Sequence, residues 1–325
     1  MNEEILRIEG LKVYFYTYAG VVKAIEGVNL SVRKGECFGL VGETGCGKSV
    51  TMRSVIKLVP PPGRIVSGKI YFEGLDVLSL PESEVRKLRG RKIGFIVQEP
   101  MSALDPLYKV GYQAGEPLLV HGLVKDVKEM WKRVVNLFKT VMIPEPKERS
   151  RNYPHELSGG MKQRVVIATA ISCVPDLIIA DEPTTNVDVT IQAQILDLLR
   201  DLRRKYGTTL ILVTHNLGIV AEMCDRVAVM YAGQIVELAN VYDLFKDPLH
   251  PYTKGLLEAV PIITKSREVR LKPIPGTIPN LIRPPPGCRF HPRCSLVAEI
   301  CKRERPPMVE VKPEHYVACW LYAKR

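Results

Sequence analysis

Eight residues near the start of the chain have the composition of a loop that binds phosphate. In GETGCGKS, residues 42–49, Gly42 and Gly47 are separated by four residues and are followed by Lys48 and Ser49. Glycines let the backbone N–H groups curl around phosphate oxygens, and a helix N-terminus after the loop adds favourable partial charge. We therefore expect Lys48 to bind the β- and γ-phosphates of a nucleotide and Ser49 to bind Mg²⁺.

The sequence on either side of this loop supports the same interpretation. The apolar run CFGLV precedes it, and a helical pattern follows that we expect to run to the prolines at 60–62. A glycine turn with an ordinary lysine would need neither neighbour. The residues that we expect to contact nucleotide here are Gly42, Glu43, Thr44, Gly45, Cys46, Gly47, Lys48, Ser49 and Val50.

Polar side chains follow three further apolar runs, at the point where each predicted strand ends. Asp181 and Glu182 follow LIIA, Gln98 ends IGFIV, and His215 ends LILVT. The carboxyl ends of parallel strands share one edge of a sheet, where α/β folds bind ligands. Asp181 could hold Mg²⁺ while Glu182 polarises the attacking water. The alternative for the acidic pair is a solvent-facing turn before Pro183. Together these groups predict a nucleotide-hydrolysis site.

A second helix start resembles an anion site. In LSGGMKQR, Ser158 and two glycines precede a helical pattern. Helix capping by Ser158 explains these residues equally well. If the stretch does bind phosphate, one chain holds two cradles, and the second would serve another nucleotide.

Apolar runs alternate with helical patterns along most of the chain, which predicts an α/β fold. CFGLV, IGFIV, LIIA, LILVT and VAVMY are short, with little polar alternation, as in strands buried on both faces. Strands separated by helices favour a largely parallel sheet. Residues 100–157 contain helical patterns without a buried strand, so we expect a helical insertion there.

Two helical patterns have apolar stripes that we interpret as core faces. In the first, a stop at Gly207 is expected after a stripe formed by Ile191, Ile195, Leu198, Leu199 and Leu202. In the second, an end near Pro144 is expected after Trp131, Val134, Val135, Phe138, Val141 and Met142.

Composition limits the class of protein. The 325 residues are 46% hydrophobic and carry a formal charge of +11, which favours acidic partners or an anionic membrane surface. The sequence has no apolar run of about 18 residues and no secretion signal, so we expect a cytoplasmic protein. We divide it into a nucleotide-binding domain, 1–240, and a proline-rich extension with cysteines, 241–325.

These motifs, in this order, resemble the ATP-binding cassette family over residues 5–240. In that family's terms GETGCGKS is Walker A, Gln98 the Q-loop, LSGGMKQ the signature, LIIADE Walker B, Asp188 the D-loop and His215 the switch histidine. The resemblance implies a P-loop NTPase-type nucleotide-binding domain. It implies catalytic roles for Glu182, His215 and Gln98, with Mg²⁺ near Ser49, Gln98 and Asp181. The family more often has ALD where this chain has NVD before the D-loop aspartate.

The same resemblance implies that two cassettes pair head to tail. ATP would then lie between Walker A of one cassette and the signature of the other, here Ser158, Gly159, Gly160 and Gln163. An aromatic side chain would stack on adenine. Phe15 fits best by spacing, with Tyr16 beside it and Tyr14 and Tyr18 close by.

Within the family, the chain is most similar to ATPase subunits of oligopeptide and dipeptide importers, through stretches such as QEPMSALDPLYKVG and DPLHPYTKGLLEAVP. That branch implies two transmembrane subunits docked on residues 100–157, a second and similar ATPase chain, and an extracytoplasmic solute-binding protein. The solute could be a peptide, nickel or an oligosaccharide. The main alternative is a soluble cassette ATPase acting on nucleic acid or ribosomes, and an exporter is a weaker one. We expect no nucleic acid partner.

Four cysteines in the extension differ from the other four. Cys288, Cys294, Cys301 and Cys319 have polar, proline-rich neighbours, whereas we interpret Cys37, Cys46, Cys173 and Cys224 as small apolar fillers. A reducing compartment disfavours disulfides. Structural zinc sites usually contain closely spaced cysteine pairs, while longer gaps suit a polynuclear centre. The importer branch resembles this chain in carrying an iron–sulfur cluster on such a tail. We therefore expect a [4Fe–4S] cluster, with zinc as the alternative.

Overall fold

The computed structural model describes residues 3–185, 187–259 and 274–323. The strands are β1 Glu4–Thr17, β2 Gly20–Arg33, β3 Cys37–Val41, β4 Gly63–Phe72, β5 Leu75–Asp76, β6 Ile93–Ile96, β7 Leu177–Asp181, β8 Thr209–Thr214, β9 Arg226–Tyr231, β10 Gln234–Asn240, β11 Val309–Lys312 and β12 His315–Val317. The helices are α1 Lys48–Val55, α2 Glu82–Leu88, α3 Pro100–Ala103, α4 Val110–Val120, α5 Val127–Thr140, α6 Pro146–Arg149, α7 Gly159–Ile171, α8 Val189–Tyr206, α9 Leu217–Met223, α10 Val241–Lys246 and α11 Pro251–Glu258.

The chain divides into two compact units, each built from separate stretches of sequence. The first unit consists mainly of Arg33–Glu36 and Ser79–Val213. The second unit contains Glu4–Val32, Cys37–Leu78 and the chain from Thr214 onward. The phosphate-binding loop and the four cysteines of the extension therefore lie in the second unit, and Gln98, Ser158 and Asp181 in the first.

Parallel strands form the centre of the first unit. β6 pairs with β7, with Ile93 opposite Leu177, and β7 pairs with β8, with Asp181 opposite Val213. Every residue of β7 and β8 is buried. The expectation of parallel strands covered on both faces is confirmed for these runs.

The helical insertion is also confirmed. Residues 100–157 are all described, and they form α3 to α6 and a short 3₁₀ turn without a strand. Of the stripe expected on α5, Val134, Phe138 and Val141 are buried. Met142 was wrongly assigned to the core: its side chain is 53% exposed. The reason is that α5 ends at Thr140 and the backbone of Met142 turns to a φ of 56°, away from the helical stripe.

Helix α8 follows the predicted pattern closely. Ile195, Leu198, Leu199 and Leu202 are buried. The helix ends at Gly207, whose φ of 65° is the left-handed conformation that glycine adopts easily. Ile191, the first residue of the expected stripe, is only half-buried.

The second unit contains two sheets. One has the strand order β2-β1-β4-β5, and β1 runs antiparallel to β4. In the other, β3 runs parallel to β9, which is followed in order by the antiparallel strands β10, β12 and β11. Every residue of β3 and β9 is buried, as expected from their sequences.

Helix α1 is shorter than predicted. It was expected to run to the prolines at 60–62, but it ends at Val55. The backbone of Lys57 takes a φ of 52°, and the N–H of Leu58 donates to the carbonyl of Arg53 at 2.9 Å. This is the turn by which many helices end, and it satisfies carbonyls of the last turn.

The extension contains structure that the sequence did not indicate. Residues 274–287 form neither helix nor strand, as their prolines predict. Beyond them, β12 joins β10, with Val317 opposite Glu237. No helix among the described residues has the length and apolar character needed to cross a membrane.

Candidate functional site

The phosphate-binding loop depends on glycines with unusual backbone angles. Gly42, Gly45 and Gly47 have φ values of 154°, 83° and 111°. A side chain at Gly42 would place its Cβ 2.1 Å from the carbonyl oxygen of Met230, and one at Gly47 would lie 2.6 Å from Ile25. Only glycine fits either position, so the loop can approach its neighbours closely.

The lysine of this loop is held inside it. Lys48 is the first residue of α1 and is only 4% exposed. Its Nζ donates to the carbonyl oxygens of Gly42 at 2.7 Å and Glu43 at 3.2 Å. Thr44 and Gly45 are exposed at the tip, and Ser49 and Val50 lie partly exposed on the first helical turn. A curled backbone with a central ammonium and a helix N-terminus is suited to bind phosphate.

Three other residues of the second unit were predicted to contact nucleotide or to act in hydrolysis. Phe15 lies on β1 opposite Gly63, and Tyr16 is 47% exposed beneath the guanidinium of Arg64, which lies 5.6 Å from the ring centre. His215 is exposed directly after β8. Neither aromatic side chain is singled out as the one that would stack on adenine.

In the first unit, the predicted catalytic carboxylate and amide are in contact. The side-chain nitrogen of Gln98 donates to the Glu182 carboxylate at 2.9 Å, and the Thr185 hydroxyl donates to the same oxygen at 3.1 Å. Glu182 has a φ of 46°, and its N–H donates to Val213 on β8. Asp181, the last residue of β7, is fully buried. The end of β7 thus carries both acids, and Gln98 contacts the second of them.

The predicted signature begins a helix and is partly exposed. Ser158 caps α7, and its hydroxyl accepts from the N–H of Met161 at 3.4 Å. Ser158 and Gly159 are exposed. A Cβ on Gly160 would lie 3.1 Å from Ile191, so α7 and the start of α8 are close here. Gln163 differs from the others because it is only 1% exposed.

The predicted D-loop residue also acts as a cap. The Asp188 carboxylate accepts from the N–H of Ile191 at 2.9 Å and begins α8. Because Ile191 lies beside Gly160, the exposed side chain of Asp188 is positioned on the same surface as the signature.

The second unit contains two contacts to the phosphate-binding loop that sequence reasoning missed. The Tyr252 hydroxyl accepts from the backbone N–H of Glu43 at 2.9 Å. The Arg293 guanidinium donates to both oxygens of the Glu43 carboxylate, at 2.7 and 3.0 Å. Arg293 stands 250 positions from Glu43 in the sequence, so no local pattern could have revealed the pair.

The four cysteines of the extension line one cavity of about 90 Å³. Burial, together with the nearby thiols of Cys301, Cys319 and Cys294, raises the pKa of the Cys288 thiol to about 11. Among the described residues, no three His, Cys, Asp or Glu side chains are grouped so that they could hold a metal ion. The cavity is several times the roughly 10–15 Å³ needed by a water-sized group. The cavity therefore has room for a ligand larger than one atom.

The other four cysteines are buried, as expected of apolar fillers. Cys37, Cys46, Cys173 and Cys224 are each less than one-tenth exposed. The sulfur atoms of Cys37 and Cys224 lie 3.7 Å apart in the second unit.

Two family profiles match separate parts of the chain. The profile described as "ABC transporter" matches residues 25–185, and the one described as "Oligopeptide/dipeptide transporter, C-terminal region" matches residues 236–301. The second match includes three of the four cysteines of the extension. The matched stretches contain Walker A, Walker B and the signature as they were located from the sequence.

Named relatives match nearly the whole chain. The oligopeptide transport ATP-binding protein OppD of Bacillus subtilis is 50% identical, with 98% of this chain and 88% of that protein covered. The dipeptide transport ATP-binding protein DppD of the same organism is 48% identical, with 99% of this chain and 96% of that protein covered. OppD of Escherichia coli is 46% identical, covering 98% and 93%.

Solved structures show the same fold. The dimeric, post-hydrolysis cassette MJ0796 bound to ADP and Pi matches with a TM-score of 0.66 and 26% identity, over 73% of this chain and 98% of that one. The cassette cbiO1 of Clostridium perfringens, part of a transporter complex, matches with a TM-score of 0.63 and 29% identity, over 75% and 92%. With this similarity over nearly its full length, the chain belongs to the ATP-binding cassette transporter family and is an ATPase of that family.

Proposed function

We propose that this chain is the ATP-hydrolysing subunit of an importer of oligopeptides or dipeptides. The observation that carries the proposal is the similarity to OppD over 98% of the chain, because it extends beyond the cassette into the extension. A cassette alone would not distinguish importers from other members of the family. The match of residues 236–301 to the peptide-transporter C-terminal region points in the same direction and supports a division of the chain near residue 240.

The residues that we assign to hydrolysis have distinct roles. Glu182 orients and activates water for attack on the γ-phosphate, and Gln98, at 2.9 Å from its carboxylate, links that water to the helical insertion. Asp181 and Ser49 would hold Mg²⁺, which would neutralise developing phosphate charge. Lys48 exchanges its loop carbonyls for phosphate oxygens, and His215 contacts the γ-phosphate.

The signature is proposed to complete the site of a second cassette. Exposed Ser158 and Gly159 at the start of α7 present backbone N–H groups and a hydroxyl to a phosphate that this chain does not itself bind. Asp188 lies on the same surface. The second cassette is proposed to be a similar but non-identical chain.

The remaining partners are proposed from the importer likeness and one exposed surface. Met101, Leu107 and Tyr108, in the helical insertion, are 62%, 80% and 54% exposed. Large apolar side chains at a surface favour contact with another protein. We propose that two transmembrane subunits dock on the insertion at the cytoplasmic face of the membrane, and that a solute-binding protein delivers the peptide.

The cysteine cavity is proposed to hold a [4Fe–4S] cluster. Support comes from four thiols around one space of about 90 Å³, with apolar neighbours such as Phe290 and Leu296. Cysteine thiolates are the usual ligands of such clusters. A bound cluster would cross-link the segments that carry these cysteines. The deprotonation required is unfavourable for a thiol such as Cys288 in the absence of a metal centre.

The transport proposal is tested by co-expressing the chain with candidate membrane subunits. Co-purification with two hydrophobic subunits, and ATPase activity stimulated by a peptide-loaded binding protein, is the expected result. ATPase activity stimulated by DNA or RNA, without any membrane partner, would instead support the nucleic-acid alternative.

The cluster proposal is tested by metal analysis after anaerobic purification. About four iron atoms per chain, labile sulfide and a broad visible absorption band are expected. Stoichiometric zinc without iron would replace the cluster with a zinc site.

A further inference from the structure

The extension reaches the phosphate-binding loop through an ion pair whose arginine is buried. Arg293 lies beside Cys294, and its side chain is 5% exposed. Its two terminal nitrogens donate to the two oxygens of the Glu43 carboxylate at 2.7 and 3.0 Å, and its Nε donates to the carbonyl of Pro275 at 2.8 Å. A bidentate contact of this kind fixes the orientation of the carboxylate as well as its distance from the guanidinium, which a single charge contact does not.

Glu43 is held at its backbone as well as at its side chain. Its N–H donates to the Tyr252 hydroxyl at 2.9 Å, and its carbonyl accepts from Lys48 at 3.2 Å. The residue therefore connects the lysine that would bind phosphate to two side chains from the far end of the sequence. A shift of Glu43 would move the carbonyl that orients Lys48.

An aromatic cluster supports both of these contacts. Tyr231, Tyr252 and Phe290 have ring centres 4.6 to 5.4 Å apart. The Arg293 guanidinium lies 5.7 Å from the centre of the Tyr231 ring. Phe290 stands between Cys288 and Cys294, so the segment that carries these thiols packs directly beneath the residues that hold Glu43.

The positive charge of Arg293 has a second effect on the phosphate-binding loop. The Glu43 carboxylate belongs to the loop that would surround a triphosphate, and it is 28% exposed. An uncompensated carboxylate there would repel phosphate, and a bidentate arginine neutralises its charge. Position and charge both favour nucleotide binding when the pair is intact.

We propose that Arg293 is a positioning residue for the nucleotide site: by clamping Glu43 it holds the phosphate-binding loop in its binding conformation and makes ATP affinity depend on the cysteine segment. The inference rests on the proposed function only in that the loop binds ATP. By reciprocity, bound ATP stabilises the cysteine segment to the same extent.

The test compares MgATP dissociation constants of the full chain and its variants by titration calorimetry. Arg293→Gln is expected to weaken MgATP binding roughly tenfold, within the range typical of coupled sites. Arg293→Lys keeps the positive charge but loses the bidentate contact. Its MgATP dissociation constant should lie between those of the parent and of Arg293→Gln. Arg303→Gln changes an exposed arginine of the same segment and is the matched control, expected within about twofold of the parent.

A double-mutant cycle with Glu43→Gln separates the effect of the ion pair on ATP binding from a general loss of structure. Removing both charges should weaken binding less than the two single effects combined, because each single variant leaves a partner uncompensated. Additive effects, or Arg293→Gln binding within about twofold of the parent, would overturn the inference. Failure of the parent itself to bind MgATP would refute the proposed function instead.

Two further properties are measured for every variant: its thermal unfolding in the absence of nucleotide, and its iron content. Loss of iron in Arg293→Gln with no recovery of ATP binding in the double variant would also overturn the inference, because the substitution would then act through the cysteines. If Arg293→Gln does not fold, the cycle is run with Arg293→Lys.

Discussion

At the scale of single residues, the most informative geometry is that around Glu182. The carboxylate accepts from Gln98 and Thr185, and its backbone stands in the left-handed region, with a φ of 46°. Backbone strain of this kind is concentrated at functional sites, where the surrounding structure holds it. The strand end thus fixes the carboxylate direction before any nucleotide binds.

We expect Glu182→Gln to bind MgATP normally and to hydrolyse it at least about 100-fold more slowly, since general-base assistance contributes at least that much. Single-turnover hydrolysis and equilibrium binding check the two halves separately. Glu148→Gln, at an exposed position, is the control. Near-normal turnover in the Glu182 variant would show that another group activates the water.

Cys46 illustrates how burial changes the chemistry expected of a residue. It lies inside the phosphate-binding loop, where oxidation of an accessible thiol would interfere with nucleotide binding. The structure buries it completely, and desolvation raises the pKa of its thiol. The thiolate is the reactive form, so burial protects this cysteine.

We therefore expect Cys46 in the folded chain to react slowly with iodoacetamide near pH 8, and faster as pH rises through and above the thiol's elevated pKa. Mass spectrometry of labelled peptides measures the rate, with the urea-unfolded chain as reference. Equal rates in folded and unfolded chains would contradict the prediction.

At the scale of elements, α5 shows that apolar periodicity predicts the buried face of a helix but not its end. Its stripe correctly located Val134 and Phe138 in the core but continued to Met142, beyond the helix end. Periodicity gives the face of a helix, while the end depends on backbone turns that many sequences allow.

We expect Phe138→Ala to lower the free energy of unfolding by about 3–5 kcal/mol, because it would leave a cavity in a fully buried site. Met142→Ala should change it by less than about 0.5 kcal/mol, as an exposed position. Urea unfolding of the two variants provides the comparison. Similar losses for both would show that the face of α5 had been wrongly assigned.

Strands were predictable only where both faces are buried. β3, β7, β8 and β9 are continuous apolar runs and were found from the sequence. β11 and β12 are short and partly polar, with residues such as Glu310, Lys312 and His315, so nothing in their composition distinguishes them from a loop. Their pairing is decided by distant neighbours instead of by local preference.

At the scale of the whole molecule, one buried carboxylate ties distant parts of the second unit together. Glu237 on β10 is fully buried and accepts from the N–H groups of Leu249 and His250, at 2.7 and 2.9 Å. Its third partner is Nε2 of His315 on β12, at 2.8 Å. Three separate segments therefore meet at this side chain.

We expect His315→Ala to lower the free energy of unfolding by about 1–3 kcal/mol, since a buried acceptor loses a partner. The exposed Lys302→Ala is the control within the extension. A difference of less than about 0.5 kcal/mol between the two variants in urea unfolding would mean that the histidine contributes nothing through Glu237.

The candidate site was predictable to the extent that its residues lie in short motifs. The loop 42–49, Asp181, Glu182 and the signature each have a local pattern because chemistry fixes their spacing. The Arg293–Glu43 pair has none, because the fold alone brings those side chains together. Gln163 shows the opposite case: it belongs to the motif by position, yet it is buried.

The pairing of β10 with β12 has a consequence for how the protein is made. Glu237 faces Val317 across the sheet, so β10 presents an open edge while the ribosome is still synthesising the intervening residues. Only after the last cysteine-bearing stretch has left the exit tunnel does that edge gain its neighbour. Nascent chains arrested before residue 309 should therefore bind chaperones that recognise exposed strands, and released chains in which β12 pairs with β10 should not.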